Sequence, residues 1–422
     1  MVITEQGAKL VPVVVFITIW ILQVFLLILS PYNYKSVSLE TWIITLSSVS
    51  TVVVGYLTYY FLNTTRTVQI TSKTRNKSYI DFDKNNLEKL LKYLLIFVAI
   101  GVIGDILSLM FTIKSYGLHL TNIFWYRFVL SHSAKGHFGW SVLHSLFSYL
   151  ILLNNVVVII SAIYHSFYSG KKILIYGPIF LAFLFSVITL QRHTLIIILT
   201  FWLSALFFIS FYLDSQRQKI SLNKFYRSFI GILIFIALVI IIVISIRFYI
   251  DLGGAKYNKL IKLGIQSIYS YIAGNVVALD TYLKSDISYE KGAFLFQSIL
   301  KWLSRLGVIN STSIPSQYLE FTNIGPVSLN TYTYIRMLYA DYGVYGLLIL
   351  SYLWGFIAAF VMNNLYPNFR LYKLMFAALM MFSYLVSFFG FSLLNFTMIF
   401  LLFFFSWILD YFIKTSNLPA HL

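Results

Sequence analysis

A chain of 422 residues with 59% apolar and only 11% charged residues lacks the charge, about 25% in an ordinary soluble domain, that keeps a soluble surface wet. Its net charge of +17 invites a nucleic-acid reading, but Lys and Arg fall in short segments between apolar runs, as membrane proteins place them, and no nucleic-acid partner is expected. The absence of cysteine excludes disulfides and thiolate metal centres.

About 20 apolar residues cross a bilayer core of ~30 Å as a helix. Ten segments meet that demand: 10–30, 41–62, 91–113, 140–165, 173–190, 194–213, 228–246, 343–363, 374–391 and 393–413. No small-residue cleavage site follows the first, so it is read as a retained helix. The last two form one apolar block, divided near Gly390 because it is too long for one crossing. The expected fold is an all-α integral membrane protein of about 10 transmembrane helices, with residues 1–422 as a single polytopic membrane domain.

Basic residues set the orientation. Arg66, Lys73, Arg75, Lys77, Lys84 and Lys89 follow the second segment, Lys171 and Lys172 the fourth, Arg217, Lys219, Lys224 and Arg227 the sixth, and Arg370 and Lys373 the eighth. With ten crossings these share one side, and the positive-inside rule places them in the cytoplasm with both termini. Residues 247–341 then form a large external loop between helices 7 and 8. Long translocated segments escape the charge rule, and a connection this long is expected to fold into a functional cap. Within it, Phe294, Phe296, Ile299, Leu300 and Leu303 recur near helical spacing, which predicts a short amphipathic helix over 293–306.

Polar groups gather at the outer helix ends: Arg127 near His132 and His137, Arg192 and His193 in a tight turn, Arg247 at a helix exit, and Arg336 and Asp341 before the eighth helix. Guanidinium groups keep their charge and present planar donor forks suited to phosphate oxygens. The plain alternative is that such arginines snorkel to the headgroups and anchor helices. At Arg192 the turn is too tight to need an anchor, and function is favoured there and at Arg336; Arg305 reads as a surface charge. His193 is a general-base candidate or a structural histidine. Asp105, beside Gly101 and Gly104 in the third helix, is either functional or a packing contact. The histidines make no metal set, and no phosphate loop or dinucleotide turn occurs, so neither a metal nor a cofactor is expected.

The order and spacing of these features over most of the chain resemble the Wzy-type polymerases of O-antigen and capsule repeat units. Three local patterns carry the resemblance: Gln191-Arg192-His193-Thr194 opening a helix, Arg247 leading into the long loop, and Asn330-Thr331-Tyr332-Thr333-Tyr334 followed by Tyr339-Ala340-Asp341-Tyr342-Gly343-Val344-Tyr345-Gly346. The last is similar to the family's Asn-x-Tyr-Thr and Asp-Phe/Tyr-Gly-x-x-Gly elements, and Arg127 matches an arginine found before the fourth helix. Leu190 and Gln191 stand where members often carry Gly-Ser. The resemblance implies a metal-independent GT-C-type glycosyltransferase in the bacterial plasma (inner) membrane. Such an enzyme polymerises undecaprenyl-pyrophosphate-linked oligosaccharide on the outer face, sometimes beside a chain-length regulator. It assigns Arg192, His193 and Asp341 to catalysis, and Arg127, Arg247, Asn330, Tyr332 and Arg336 to substrate binding. An O-antigen ligase is the nearest alternative, and a lipid-linked oligosaccharide flippase or a noncatalytic scaffold a more distant one.

Overall fold

A computed structural model describes residues 5–67, 84–115, 146–168, 170–189, 192–215, 257–285, 289–310, 322–329, 332–365, 370–388, 390 and 396–415. They are mostly helical: α1 (Glu5–Ile28), α2 (Leu39–Thr67), α3 (Lys84–Ser115), α4 (Asn154–Phe167), α5 (Lys172–Thr189), α6 (Arg192–Ser215), α7 (Tyr257–Leu283), α8 (Gln297–Arg305), α9 (Tyr334–Leu365), α10 (Leu371–Leu385) and α11 (Phe396–Thr415), with a small hairpin of β1 (Thr322–Asn323) and β2 (Ser328–Leu329). Among the described residues six helices are long and apolar enough to cross a membrane: Lys9–Ile28, Leu39–Asn63, Lys84–Ser108, Leu146–Phe167, Thr194–Phe211 and Tyr334–Leu365. Three shorter apolar helices cover Lys172–Ile188, Leu371–Leu385 and Met398–Asp410. These lengths and compositions are compatible with an all-α membrane protein.

Each predicted crossing except 228–246, which lies outside the described residues, coincides with one of these helices. The expected 247–341 loop differs in two respects. The 27-residue α7 runs through it, and a helical piece from Tyr334 precedes the break at Gly343, from which the predicted 343–363 helix continues. The block divided near Gly390 does break there, between α10 and α11.

By its internal contacts the chain divides into two compact units, Met1–Tyr79 with Ile265–Phe400, and Ile80–Gly264 with Leu401–Leu422. The first is organised by the crossing of α2 and α9. Ser48 Oγ meets Ser351 Oγ at 2.9 Å, and Tyr59 packs on Phe356 and Phe360, so the helices run parallel and start at the same end. Glycines allow the backbones to touch: a Cβ on Gly55 would lie 2.1 Å from the Tyr352 carbonyl oxygen, and one on Gly355 2.0 Å from that of Val52. Small residues of this kind are the means by which helices approach closely in lipid, where the hydrophobic effect does not drive them together. Around the crossing, Phe16, Trp20, Tyr334, Trp354 and Tyr384 interlock, with Tyr334–Trp354 and Trp354–Tyr384 centroids both at 5.0 Å. The buried hydroxyl of Tyr334 is satisfied by Ser48 at 2.8 Å.

In the second unit, α3 packs on the segment 146–153 through Gly101 and Gly104, where an added Cβ would strike Leu150 and the Phe147 ring. The close packing expected of these glycines is present, and Asp105 beside them is buried. The Tyr164 hydroxyl donates to Glu88 at 2.7 Å and accepts from the Lys171 backbone N–H, while Lys171 Nζ lies 3.1 Å from Glu88, joining α3, α4 and the α4–α5 turn.

Within α9, Gly343 (φ 64, ψ −161) separates two helical pieces. That backbone region is essentially closed to residues with a Cβ. Gly343→Ala is expected to lower stability by about 1–3 kcal/mol, read as a reduced thermal midpoint of the detergent-purified protein; an unchanged midpoint would show that the break is not required.

Candidate functional site

At the end of the first unit where α2 and α9 begin, loops and helix ends converge on a buried arginine. Arg336 lies in the first turn of α9 and is 8% exposed. Its guanidinium carbon sits 4.1 Å from the ring centroid of Tyr332 and 4.4 Å from that of Tyr282. The two rings meet edge to face with centroids 6.4 Å apart. Cation–π attraction from a tyrosine face contributes about 0.5–2 kcal/mol, more where water is excluded. The pair therefore partly offsets the cost of removing a guanidinium from water.

Both tyrosines are placed by their surroundings. Tyr332 precedes α9 and its hydroxyl bonds Thr322 Oγ1 on β1. Its ring joins an apolar cluster with Val277, Ala278, Ile324 and Leu329, which seats the hairpin on α7. The hairpin also holds the α1–α2 connection, because the Ile324 carbonyl accepts from the Lys35 N–H at 3.0 Å. Just beyond the site the α9 backbone is tied to the end of α10: the Tyr334 N–H donates to the Ser387 carbonyl at 3.0 Å.

Tyr282 is placed by Asp280, two residues earlier on α7. Asp280 Oδ1 accepts from the Ser38 N–H at 2.8 Å, the Ser38 hydroxyl at 2.5 Å and the Thr41 hydroxyl at 2.8 Å. Ser38 immediately precedes α2, and its Oγ also lies 3.4 Å from the Thr41 N–H, the arrangement of an N-cap hydroxyl. The carboxylate thus faces the positive end of α2. Lys284 reaches Oδ2 at 2.6 Å but is 57% exposed, so this ion pair is screened and adds little. Burial pushes the Asp280 carboxyl up, yet the bonds from Lys284, Ser38 and Thr41 outweigh it and hold it below the ordinary carboxylate range. For Tyr282, burial raises the phenol above its usual value although Arg336 pulls it down; it stays protonated at neutral pH.

Asp341, 1% exposed, accepts backbone N–H bonds from Phe294 at 3.0 Å and Leu295 at 2.7 Å. The Glu290 N–H donates to the Ala340 carbonyl at 2.9 Å. Both carboxylate oxygens therefore hold the 290–295 turn against α9, and Tyr289 packs on Tyr339 with centroids 6.3 Å apart.

Of the residues singled out in the sequence, Arg336, Tyr332 and Asp341 lie at this end of the first unit. Arg192 and His193 open α6 in the second unit; their side chains, with Arg127, Arg247 and Asn330, lie outside the described residues. Sequence reasoning missed Tyr282 and Asp280. The spacing of Asp280 and Lys284, four apart, is the usual sign of a helix face, but Tyr282 is one of 32 tyrosines and carries no local signal. Among the described residues no group of three or more His, Asp or Glu side chains gathers as a metal site would require. A charged planar fork held between aromatic faces at the end of membrane helices is suited to an anionic, phosphate-like group. No family model, curated protein or solved structure matches the chain.

Because the Asp280 carboxyl is lowered in the folded protein, its stabilisation is full above the unfolded value of about 3.9 and is lost as pH falls through the folded value. The wild type is expected to lose more stability than Asp280→Asn between about pH 4 and the folded pKa, measured as thermal midpoints across pH; parallel curves would remove the anionic role.

Proposed function

We propose that the chain is a membrane glycosyltransferase that polymerises undecaprenyl-pyrophosphate-linked oligosaccharide repeat units into O-antigen or capsular polysaccharide on the outer face of the bacterial plasma membrane. The observation that carries this reading is the buried Arg336 guanidinium held between the rings of Tyr282 and Tyr332. It is supported by the resemblance of 330–346 to the polymerase motifs and by the membrane helices. In this reading both termini are cytoplasmic, and the end of the first unit that holds Arg336 faces outward.

The chemistry asks for such a group. When a glycosyl unit moves to the hydroxyl of an incoming acceptor, the departing undecaprenyl pyrophosphate develops negative charge. A cation already in place stabilises that charge most where water is scarce. Arg336 binds the pyrophosphate oxygens, and Tyr332 and Tyr282 keep its plane fixed. The resemblance assigns Arg192 and Arg247 to pyrophosphate recognition and Arg127 and Asn330 to substrate binding. His193 is the candidate for the acceptor proton. Asp341 holds the 290–295 turn with both oxygens, so its part is to position the site.

The test is chain growth by the purified full-length protein in liposomes with lipid-linked repeat units. A ladder of lengthened glycans is expected, and Arg336→Lys, which keeps the charge but loses the fork, is expected to slow it by roughly a hundredfold, about 3 kcal/mol. A single transfer of finished chains to lipid A core would identify a ligase. Movement of the lipid across the bilayer without any new glycosidic bond would identify a flippase.

A further inference from the structure

Helix α8 leaves an apolar edge uncovered. Projected at the helical period, Phe296, Ile299, Leu300, Trp302, Leu303 and Leu306 share one side, while Gln297, Ser298, Lys301, Ser304 and Arg305 share the other. Despite this clean division, Phe296 is 48%, Trp302 42%, Leu306 74% and, just beyond, Val308 65% exposed.

We infer that α8 and the turn after it form an interfacial helix, lying in the plane of the membrane with this edge sunk among the phospholipid headgroups. Two attachments fix its position. Its leading residues Phe294 and Leu295 are bound to Asp341 of the membrane-crossing α9, and the Trp302 ring meets Phe400 of α11 edge-on with centroids 6.3 Å apart. The turn before α8 also abuts the first residue past Asp341, since a Cβ on Gly292 would lie 2.3 Å from the Tyr342 hydroxyl. From Tyr342 an exposed apolar stripe runs down α9 through Tyr345, Ile349 and Leu353. The uncovered edge of α8 thus continues the lipid-facing surface of a crossing helix.

At nine residues, α8 is about 14 Å long and cannot span a bilayer. A short helix with an apolar side that includes Trp, and a basic side, has the composition of segments that lie in the headgroup layer. Its sequence contains basic and no acidic residues, a composition that complements headgroup phosphates. This inference concerns how the segment sits on lipid and stands apart from the proposed reaction.

The cysteine-free sequence allows the test to be made on the full chain. Single cysteines replacing Trp302, Leu306 or Val308, and Ser298 or Ser304 on the polar side, would carry nitroxide labels. The protein would be reconstituted in vesicles of phosphatidylethanolamine and phosphatidylglycerol. At 302, 306 and 308 the label is expected to be relaxed more by oxygen, which concentrates in lipid, than by a water-soluble nickel chelate, with the order reversed at 298 and 304. Positions 306 and 308 lie beyond the end of α8, so they report even if Trp302→Cys disturbs the helix. Chelate relaxation at 306 and 308 equal to that at 298 and 304 would overturn the inference. So would shielding of 306 and 308 from both reagents, which would mean that protein covers the edge.

Discussion

The Asp280 carboxylate ties together parts of the first unit that are far apart in the chain. One oxygen receives the amide and hydroxyl of Ser38 and the hydroxyl of Thr41, so the start of α2 and the far end of α7 share a single anchor. Hydrogen bonds to a charged group contribute about 1.5–3 kcal/mol each when buried. The exposed lysine on the other oxygen contributes far less. The anchor fixes the register of α7, and register decides which α7 side chain meets Arg336. Two residues on, that side chain is Tyr282.

The remaining constraints lead to the same place. The β1–β2 hairpin packs on α7 through Ile324 and Leu329, and its Thr322 holds the Tyr332 hydroxyl, so the second ring beside Arg336 is set by a loop. Below it, the α2–α9 crossing brings two backbones into contact at Gly55 and Gly355, a rigid base on which the first turn of α9 rests. Asn275 carries the tie further, donating from α7 to the Phe388 carbonyl at 2.9 Å beyond α10. The arginine is thus held by elements of the first unit that reach from Lys35 to Phe388, although its two aromatic neighbours do the direct work.

The long apolar helices were legible because a bilayer demands long apolar runs and few folds escape that demand. The elements that escaped notice are amphipathic or extend past the apolar core. α7 mixes Lys259, Lys262, Asn275 and Asp280 into its apolar residues and so fails a span criterion. The early start of α9 adds Arg336 and Asp341 to the helix, and polar residues there read as loop. At the site, Tyr332 and Arg336 stood out by their motif, four apart and on either side of a helix start. Tyr282 belongs to it only through tertiary packing, and one sequence holds no record of such a partner.

The break at Gly343 has a consequence for how this protein changes over time. Upstream of it, Arg336 and Asp341 sit among the loops, while Tyr334 of the same piece bonds Ser48 of α2 and packs on Trp354 beyond the break. An unbroken helix would bind the two in rotation, so that every adjustment of membrane packing turned the guanidinium as well. With the glycine in place, a substitution on the far face of the crossing need not turn the guanidinium, whereas one at Ser48 or Trp354 reaches the upper piece through Tyr334.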